Sequence, residues 1–384
     1  MKRAWLWAIL PLVLLAALIG IFLTVNPLGP LGVSAPPIEN LTVERTVLDD
    51  QGISLLVRAG GSEPMQIAQI QVDRAYWQFS QKPPGTLPRL STAWINLPYP
   101  WVRDETHRIK FITNTGLSFE HEIAVAVPTP QLSLTRLLAY ALLGLYVGIM
   151  PVGLGMLFYP SLKALGSQGI KFLLALTIGM LAFLLVDTIE EGLELASSAA
   201  SVFSGSALVW LATGASFLAI LTVGRRNGKA PEGKALATYL AFSIGLHNLG
   251  EGLAIGTAFA VGEAALGSLL VVGFTLHNVT EGIGIAAPLV GLRPKFTTFV
   301  GLTALAGLPA VLGTWIGAFA FSPHWAALFL GIGAGAILQV IVEVGSYLAR
   351  TAHKAGGTWL SQVSLVGFSL GLAVMYTTAL FVNF

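Results

Sequence analysis

Eight long apolar segments occupy the second part of this 384-residue chain, and they constrain its fold more than any other feature. Charged or Gly/Pro-rich breaks separate them, and they lie at 133–158, 170–197, 206–224, 234–260, 264–290, 296–320, 325–350 and 361–383. Each segment is long enough to cross a hydrocarbon core of about 30 Å as a helix. Only 10% of the residues are charged, against roughly 25% in soluble domains. The sequence therefore predicts a polytopic α-helical membrane protein.

The chain starts with a further apolar segment, "MKRAWLWAILPLVLLAALIGIFLTVNPLG". Its apolar run follows Lys2 and Arg3 and is longer than the roughly 7–15 residues of a signal-peptide core, and no clear A-x-A cleavage site follows it. We interpret residues 1–30 as an uncleaved transmembrane signal-anchor, with cleavage as the alternative. The anchor brings the predicted number of crossings to nine.

Residues 34–130 have a different composition, rich in short segments with alternating apolar residues. These are "LTVERTVL", "ISLLVRA", "IAQIQVDRAYWQF", "HRIKFIT" and "FEHEIAVAVP", separated by turn-rich stretches such as "DDQG" and "QKPPGTLP". This spacing is typical of a small β-sandwich, and an immunoglobulin-like fold is the expected class. His107 and His121 fall in these segments, where an alternating polar face favours solvated strand positions.

The basic residues of the loops predict how the chain is oriented. Lysine and arginine occur in alternate gaps between apolar segments, at Lys2, Arg3, Lys163, Lys171, Arg225, Arg226, Lys229, Lys234, Arg293, Lys295, Arg350 and Lys354. The gaps near 198–205, 261–264 and 321–324 contain none. Because basic loops remain in the cytoplasm, we expect a multi-pass inner or plasma membrane protein. Its N-terminus is then cytoplasmic, while residues 34–130 and the C-terminus are external.

A His-Asn-x-x-Glu-Gly pattern occurs twice, as "HNLGEG" from His247 and "HNVTEG" from His277. Residues four apart share a helix face, so His247 pairs with Glu251, and His277 pairs with Glu281. The two segments are consecutive and run in opposite directions. At about 1.5 Å per residue, each pair reaches the middle of the bilayer. The four side chains form an N₂O₂ set suited to a borderline divalent cation.

Two further residue types accompany each pair. Asn248 and Asn278 lie about 100° around their helices from the histidines and are expected to offer amide oxygens at the rim of the site. Gly252 and Gly282 remove side-chain bulk and are expected to let helices approach closely. The alternative is that these polar residues only satisfy one another and fix helix register. The duplication at matching depth favours a functional site, because ionisable residues inside membranes usually mark one.

Other carboxylates are predicted to extend the site into a cation route. Asp187, Glu190 and Glu194 share one face of their helix, in its outer half, and Glu191 flanks that face. Glu343 lies toward the opposite end of another helix. The alternative for the outer glutamates is a solvated helix end.

The remaining composition limits the chemistry. There is no cysteine, so thiolate ligands and thiol nucleophiles are excluded. The formal net charge of +2 gives no indication of nucleic-acid binding, and lipid and divalent metal ions are the expected partners. His324 and His353 are predicted to be loop residues without a partner.

The two motifs resemble those of the ZIP metal transporters, which carry His-Asn-x-x-[Asp/Glu]-Gly in their fourth helix and a related motif in the fifth. "GAILQVIVEV" is similar to part of the family's seventh helix. The resemblance covers roughly residues 132–383 and implies an eight-helix, bacterial-type transporter domain over 132–384. It implies movement of a divalent metal toward the cytoplasm, with Zn²⁺ as the expected substrate and Fe²⁺, Mn²⁺ or Cd²⁺ as further substrates. The anchor and the β domain lie outside the family pattern.

The resemblance also implies roles for individual residues. The primary metal site corresponds to His247, Glu251, His277 and Glu281. A second metal position corresponds to Asn248 and Asn278, with Glu281 as the bridging ligand.

This chain departs from the family pattern in two places. The proline that often precedes the motif carboxylate is replaced by Gly250 and Thr280. The segment "LTALAGLPAVLGTW" lacks the glutamate that completes a second site in many bacterial members. We therefore predict one well-occupied metal site rather than a binuclear centre.

The resulting hypothesis is a transporter that works by alternating access and has no catalytic residues. A homodimer is one candidate assembly, and the oligomeric state is left open. Ligands must be deprotonated to bind metal, so binding is expected to weaken at acid pH. Two alternatives belong to other classes. One is an intramembrane metal-dependent hydrolase with a metal-activated water. The other is a metal sensor that uses the external β domain.

Overall fold

A computed structural model describes residues 4–25, 38–200, 203–225, 228, 230–354 and 356–382 of the chain. Several residues used in the predictions lie outside these ranges: Lys2, Arg3, Arg226, Lys229 and the first residues of the predicted β domain, 34–37. The structure consists of a helical part and a part made of two antiparallel sheets.

The helices follow the apolar segments closely. They are α1 (Ala4–Val25), α2 (Leu134–Gly144), α3 (Met150–Leu157), α4 (Tyr159–Ala164), α5 (Gly166–Ser198), α6 (Gly205–Gly224), α7 (Gly233–Ala260), α8 (Ala264–Ala286), α9 (Phe296–Ala320), α10 (Pro323–Lys354) and α11 (Gln362–Val382). The predicted continuous helices with both histidine motifs are confirmed, since α7 and α8 run through them without a break.

Seven helical spans within the described residues are long and apolar enough to cross a membrane. They are Leu134–Ala164, Gly166–Ser198, Gly205–Gly224, Ala264–Leu289, Phe296–Ala320, Pro323–Lys354 and Gln362–Leu380. The protein is therefore a multi-pass membrane protein, as predicted. α7 is not among the seven, and α1 contributes a shorter apolar stretch, Ile9–Phe22. Seven of the nine predicted crossings are therefore supported by the described residues.

The first span is interrupted, which the sequence analysis did not predict. Between α2 and α3 the chain forms a π-helical turn at Leu145–Ile149, and the helix continues beyond the predicted end at 158 to Ala164. Pro151 lies just after this turn and has no N–H to donate to the carbonyl of Val147, four residues earlier. Such turns are frequent at functional sites, and this one leaves the Val147 carbonyl available to another helix.

Glycines allow the motif helices to pack closely on their neighbours, as predicted. A Cβ added at Gly252 of α7 would overlap the carbonyl oxygen of Ala310 on α9. A Cβ added at Gly282 of α8 would overlap the carbonyl oxygen of Val152 on α3. Close backbone approach of this kind is typical of membrane helix packing.

The β domain contains two four-stranded sheets. Its strands are β1 (Leu41–Asp49), β2 (Gly52–Ala59), β3 (Ile67–Val72), β4 (Ala75–Trp77), β5 (Ser80–Lys82), β6 (Thr92–Leu97), β7 (His107–Thr113) and β8 (Ser118–Ile123). The orders are β1-β2-β6-β5 and β4-β3-β7-β8, and neighbouring strands are antiparallel. Buried residues of both sheets, such as Leu55 and Phe111, share one apolar core.

The strand predictions were wrong in three details. The segment 67–79 is two strands, because Asp73 and Arg74 adopt positive φ angles of 50° and 72° and turn the chain. The three-residue strand β5 was missed, because most of it falls in a stretch predicted to be turn-rich. β6 was also missed, although its burial alternates at Ala93, Ile95 and Leu97. β6 is a central strand of its sheet, and the prolines that follow it obscured the pattern.

The prediction of solvated histidines in the β domain was wrong. His107 is 2% exposed, and its Nδ1 lies 2.7 Å from Oδ2 of Asp73. Asp73 also accepts a hydrogen bond from the Tyr99 hydroxyl at 3.0 Å and one from the Arg108 N–H at 2.8 Å. His121 is half-buried with its Nε2 2.9 Å from the Thr46 hydroxyl, and burial lowers the pKa of its imidazole.

The Asp73 interactions give the β domain a testable pH dependence. Burial raises the pKa of Asp73, but hydrogen bonds from Arg108, His107 and Tyr99 outweigh it and lower the pKa below 3.8. A carboxyl group with a lowered folded-state pKa stabilises the fold above its unfolded pKa, and this contribution is lost as the pH falls through the folded value. At neutral pH, Asp73→Asn should therefore destabilise the domain by about 1 kcal/mol, a figure discounted for the group's partial exposure.

Hydrogen exchange of peptides from β3 and β7 measures this effect when it is compared with wild type at each pH. The difference between Asp73→Asn and wild type should shrink at acid pH, and the exposed control Asp50→Asn should show no difference. A pH-independent difference would contradict the assignment.

The helical part has two ends, which differ in what lies there. Helices α5, α7 and α9 terminate at the end that contacts the β domain, and we call this the domain end. Arg45 donates to the Phe319 carbonyl at 2.9 Å, and the Arg58 guanidinium lies 5.3 Å from the centre of the Phe203 ring. The opposite end is called the basic end. Its described basic residues are Lys163, Lys171, Arg225, Lys234, Arg293, Lys295, Arg350 and Lys354.

The other two histidines are helical rather than loop residues. His324 lies in the first turn of α10, stacks on Phe203 with ring centres 4.5 Å apart, and lies 4.0 Å from Glu44 of β1. The prediction that it has no partner was wrong, because the β domain docks there. His353 lies in the last turn of α10 and is exposed.

Candidate metal centre

Three of the four predicted primary ligands meet between α7 and α8. His247 Nε2 lies 3.0 Å from Glu251 Oε1, and His277 Nε2 lies 2.5 Å from the same oxygen. One donor atom from each residue falls within 4.8 Å of the others. All three side chains are buried, with at most 3% exposure. The predicted convergence of the two motifs is therefore seen for His247, Glu251 and His277, which we call the triad.

Glu281 is buried but does not join the triad. It is 1% exposed, and neither of its carboxylate oxygens has a hydrogen-bond partner among the described residues. The antiparallel helices explain its position. Since Glu251 is level with His277, one turn further along α8 brings Glu281 level with His247.

Several polar atoms in and beside the triad are buried without a hydrogen-bond partner among the described residues. They are Nδ1 of His247, Nδ1 of His277 and both Glu281 oxygens. Buried polar groups without partners are costly. Because the two histidines face Glu251 through Nε2, the Glu281 oxygens are the atoms of this set that could serve as a further ligand.

The predicted rim residues are tied to other helices through their amide nitrogens. Asn248 Nδ2 donates to the Ala306 carbonyl on α9 at 3.0 Å. Asn278 Nδ2 donates to the Val147 carbonyl at 3.1 Å and to Glu251 Oε2 at 3.2 Å. Asn278 thus positions the triad carboxylate against the π-helical turn. The amide oxygens of both asparagines are buried without a partner among the described residues.

Val147 was missed by the sequence analysis, although an indication was present. Pro151 removes the N–H that would occupy its carbonyl, and a proline within an apolar segment marks such a position.

The α5 carboxylates approach the triad from the domain end. Asp187, Glu190 and Glu194 are exposed and share a face, as predicted, while Glu191 is half-buried. Asp187 interacts electrostatically with both triad histidines and with Glu251, and Glu191 interacts with Glu251. Asp187 and Glu191 therefore lie within electrostatic reach of the triad.

Polar side chains continue from the triad toward the basic end. Ser243, one turn before His247, donates to Gln339 Oε1 at 2.7 Å. Glu343, one turn after Gln339, is 0% exposed and accepts a hydrogen bond from Arg225 Nε at 2.9 Å. Ser243, Gln339 and Arg225 were not predicted to take part. Ser243 lies four residues before His247, and Gln339 lies four residues before Glu343. This spacing places each on the same helix face as a predicted site residue, and it is the signal from which their involvement could have been predicted.

The donor set fits a divalent cation. Zinc binds imidazole nitrogen and carboxylate oxygen at about 2.0–2.2 Å, which places tetrahedral ligand atoms about 3.3 Å apart. The present histidine–carboxylate contacts of 3.0 and 2.5 Å need only a small expansion to reach that spacing.

In comparisons with known proteins, the chain matches no family model and no curated sequence.

Proposed function

We propose that this protein carries a divalent metal cation across the membrane through the triad. The observation that supports this is a set of two histidines and two glutamates buried inside a multi-pass helical bundle, with one carboxylate lacking any described partner. Ionisable side chains within membrane helices are rare and mark ion pathways. Their cost is offset when they bind a cation.

The proposed cargo is Zn²⁺, with Fe²⁺, Mn²⁺ and Cd²⁺ as further substrates. Two imidazoles with carboxylates suit borderline cations better than Mg²⁺ or Ca²⁺, which prefer oxygen alone. We assign Glu281 as the fourth ligand, since it lies level with His247. The metal is the transported substrate rather than a resident cofactor.

The proposed route runs from the domain end to the basic end. Asp187 and Glu191 lie on the domain side of the triad, and Gln339 and Glu343 lie on the basic side. Basic loops face the cytoplasm, so the route leads inward. The β domain is then external.

We further propose that residues 132–384 form a ZIP-like bundle of eight crossings, with α7 as one of them, and that α1 is the membrane anchor. The repeated motif and its placement on consecutive antiparallel helices support this. For the β domain, we propose an immunoglobulin-like fold. With strands lettered in chain order A, B, C, C′, D, E, F and G, its two sheets are ABED and C′CFG, the arrangement of that fold.

A second candidate function has one observation in its favour. The triad alone is a His₂Glu set, which catalytic zinc sites use with an open fourth position. Glu281 would then act as a base toward metal-bound water. Transport is the better supported function because polar residues continue from the triad in both directions.

Uptake by proteoliposomes tests the transport proposal against the hydrolase. Purified wild-type protein should accumulate radioactive Zn²⁺ in liposomes above the level of protein-free liposomes, with Fe²⁺ and Mn²⁺ compared in parallel. Stoichiometric zinc binding with no flux in oriented vesicles would favour the hydrolase and contradict transport.

The role of Glu281 is tested by Glu281→Gln. The variant should lower zinc affinity about tenfold or more, because a charged ligand is lost. It should also raise the thermal stability of the metal-free protein, because a buried carboxylate without a partner is replaced by a neutral amide. Zinc-edge X-ray absorption should show one oxygen ligand fewer than in wild type. Glu263→Gln, at the exposed start of α8, is the control. If Glu281→Gln had the zinc affinity and the metal-free stability of wild type, the assignment of Glu281 as the fourth ligand would be refuted.

A further inference from the structure

The basic end of the route contains a buried ion pair. Glu343 is fully buried on α10, and its partner Arg225 is the first residue after α6, with 38% of its side chain exposed. Arg225 Nε lies 2.9 Å from Glu343 Oε1, while Glu343 Oε2 has no partner among the described residues. The cationic side chain at the end of α6 therefore extends into the bundle and contacts a buried carboxylate of α10.

The chemistry of this pair resembles that of an occupied cation site. A carboxylate buried in a membrane bundle is costly unless a positive charge accompanies it. Arginine can supply that charge because its long apolar stem lets the head reach away from its own backbone. The guanidinium therefore takes the position at Glu343 that a metal ion leaving the triad would require.

A second contact, between Ser243 and Gln339, lies on the same side of the triad, one helical turn closer to the triad than the ion pair. Ser243 on α7 and Gln339 on α10 are both 0% exposed and are joined by a 2.7 Å hydrogen bond. Gln339 Nε2 is also buried without a partner among the described residues. Ser243 and Gln339 stand between His247 and Glu343 along their helices, so they lie where a passing cation would exchange ligands.

We propose that Arg225 is a tethered cation that occupies Glu343 and locks the route between the triad and the basic end. Release of cargo at that end then requires the Arg225–Glu343 ion pair to open. The identity of the cargo rests on the proposed transport function, whereas the closure is a property of the fold and is tested without metal.

Thiol accessibility provides that test, because the chain has no cysteine. Ser243→Cys places one thiol of similar size behind the lock, and Thr238→Cys places an exposed thiol on the same helix, nearer the basic end. A membrane-impermeant cationic thiol reagent is applied from the basic end to the full-length protein in vesicles. With Arg225 present, the Ser243→Cys variant should react slowly with the reagent and the Thr238→Cys variant quickly. Arg225→Gln should accelerate the reaction at 243 by at least about tenfold, while Arg225→Lys should leave it slow.

Removing Arg225 alone leaves Glu343 as an unpaired buried charge, which threatens folding. Arg225→Ala combined with Glu343→Gln removes both charges and the arginine bulk, and it should also accelerate labelling at 243. The lock would be overturned if Ser243→Cys were labelled at the same rate with Arg225 present as in Arg225→Gln or in Arg225→Ala combined with Glu343→Gln. Zinc uptake by the same vesicles separates the two proposals. Uptake with unchanged accessibility contradicts only the lock, whereas faster labelling without any zinc uptake supports the lock and contradicts transport.

Discussion

Glu251→Gln is expected to lower zinc affinity by at least about 100-fold. One Glu251 oxygen contacts both triad histidines, at 3.0 and 2.5 Å, so this carboxylate is the group that joins the two motif helices. Replacing even a residue that only supports a metal ligand typically costs 10- to 100-fold in affinity, and loss of an anionic ligand should cost more. Competition with a fluorescent zinc chelator in detergent measures the affinity.

The same variant should behave differently from Glu281→Gln when metal is absent. The Glu251 carboxylate contacts two histidines and Asn278, whereas Glu281 has no hydrogen-bond partner among the described residues. Glu251→Gln should therefore lower the stability of the metal-free protein, by about 1–3 kcal/mol. Thermal unfolding of both variants, with Glu263→Gln as the exposed control, provides the comparison. A loss of zinc affinity no greater than that of the control would contradict the role of Glu251.

Gly282→Ala is expected to prevent normal packing of α8 on α3. The added methyl group would overlap the Val152 carbonyl oxygen and lie 2.9 Å from Gly155 Cα, and both atoms belong to the backbone. Alanine favours a helix over glycine by about 1 kcal/mol, so propensity alone predicts stabilisation. Overpacking typically costs about 1–3 kcal/mol, and more when backbone must move. The clash should therefore outweigh the gain and lower the folded yield.

Gly273→Ala is the matched control on the same helix. A methyl group there would lie 3.6 Å from the Thr378 side chain, an ordinary contact. Size-exclusion chromatography after a temperature ramp should show Gly282→Ala melting below wild type and Gly273→Ala at or above it. If both variants melted together, close contact between α3 and α8 would be ruled out.

The helices and the pairing within the first motif were predictable because both depend on local periodicity. Apolar length predicted the bounds of most helices to within a few residues, and i, i+4 spacing correctly placed His247 beside Glu251. The predicted pairing of His277 with Glu281 was wrong, because His277 contacts Glu251 and neither Glu281 oxygen has a hydrogen-bond partner among the described residues. The sequence also indicated the close approach at Gly252 and Gly282. Such features require no knowledge of which helix packs against which.

Contacts between distant segments were not predictable in this way. The carbonyl of Val147 reaches Asn278 only because Pro151 and a π-helical turn disrupt the first span. The ion pair between Arg225 and Glu343 joins residues far apart in sequence. Arg225 had been interpreted only as a loop charge, since nothing in the local pattern shows that its side chain turns inward.

The β domain shows the same limit. Alternation identified most strands, but β6 adjoins proline-rich sequence, and the turn at Asp73 divides what looked like a single strand. His107 and His324 were misread because their partners, Asp73 and Phe203, come from other segments. A histidine within a strand or helix end is assigned correctly only when its surroundings are known.

Zinc uptake into proteoliposomes by wild type, Glu251→Gln and His277→Ala tests the central claim most directly. Glu263→Gln and His353→Ala serve as controls, because both side chains are exposed and lie outside the proposed route. Wild type and both controls should accumulate radioactive Zn²⁺ well above protein-free liposomes, while the two triad variants should fall to the protein-free level. No uptake by the wild type, or uptake by both triad variants equal to that of the controls, would contradict metal transport through the triad.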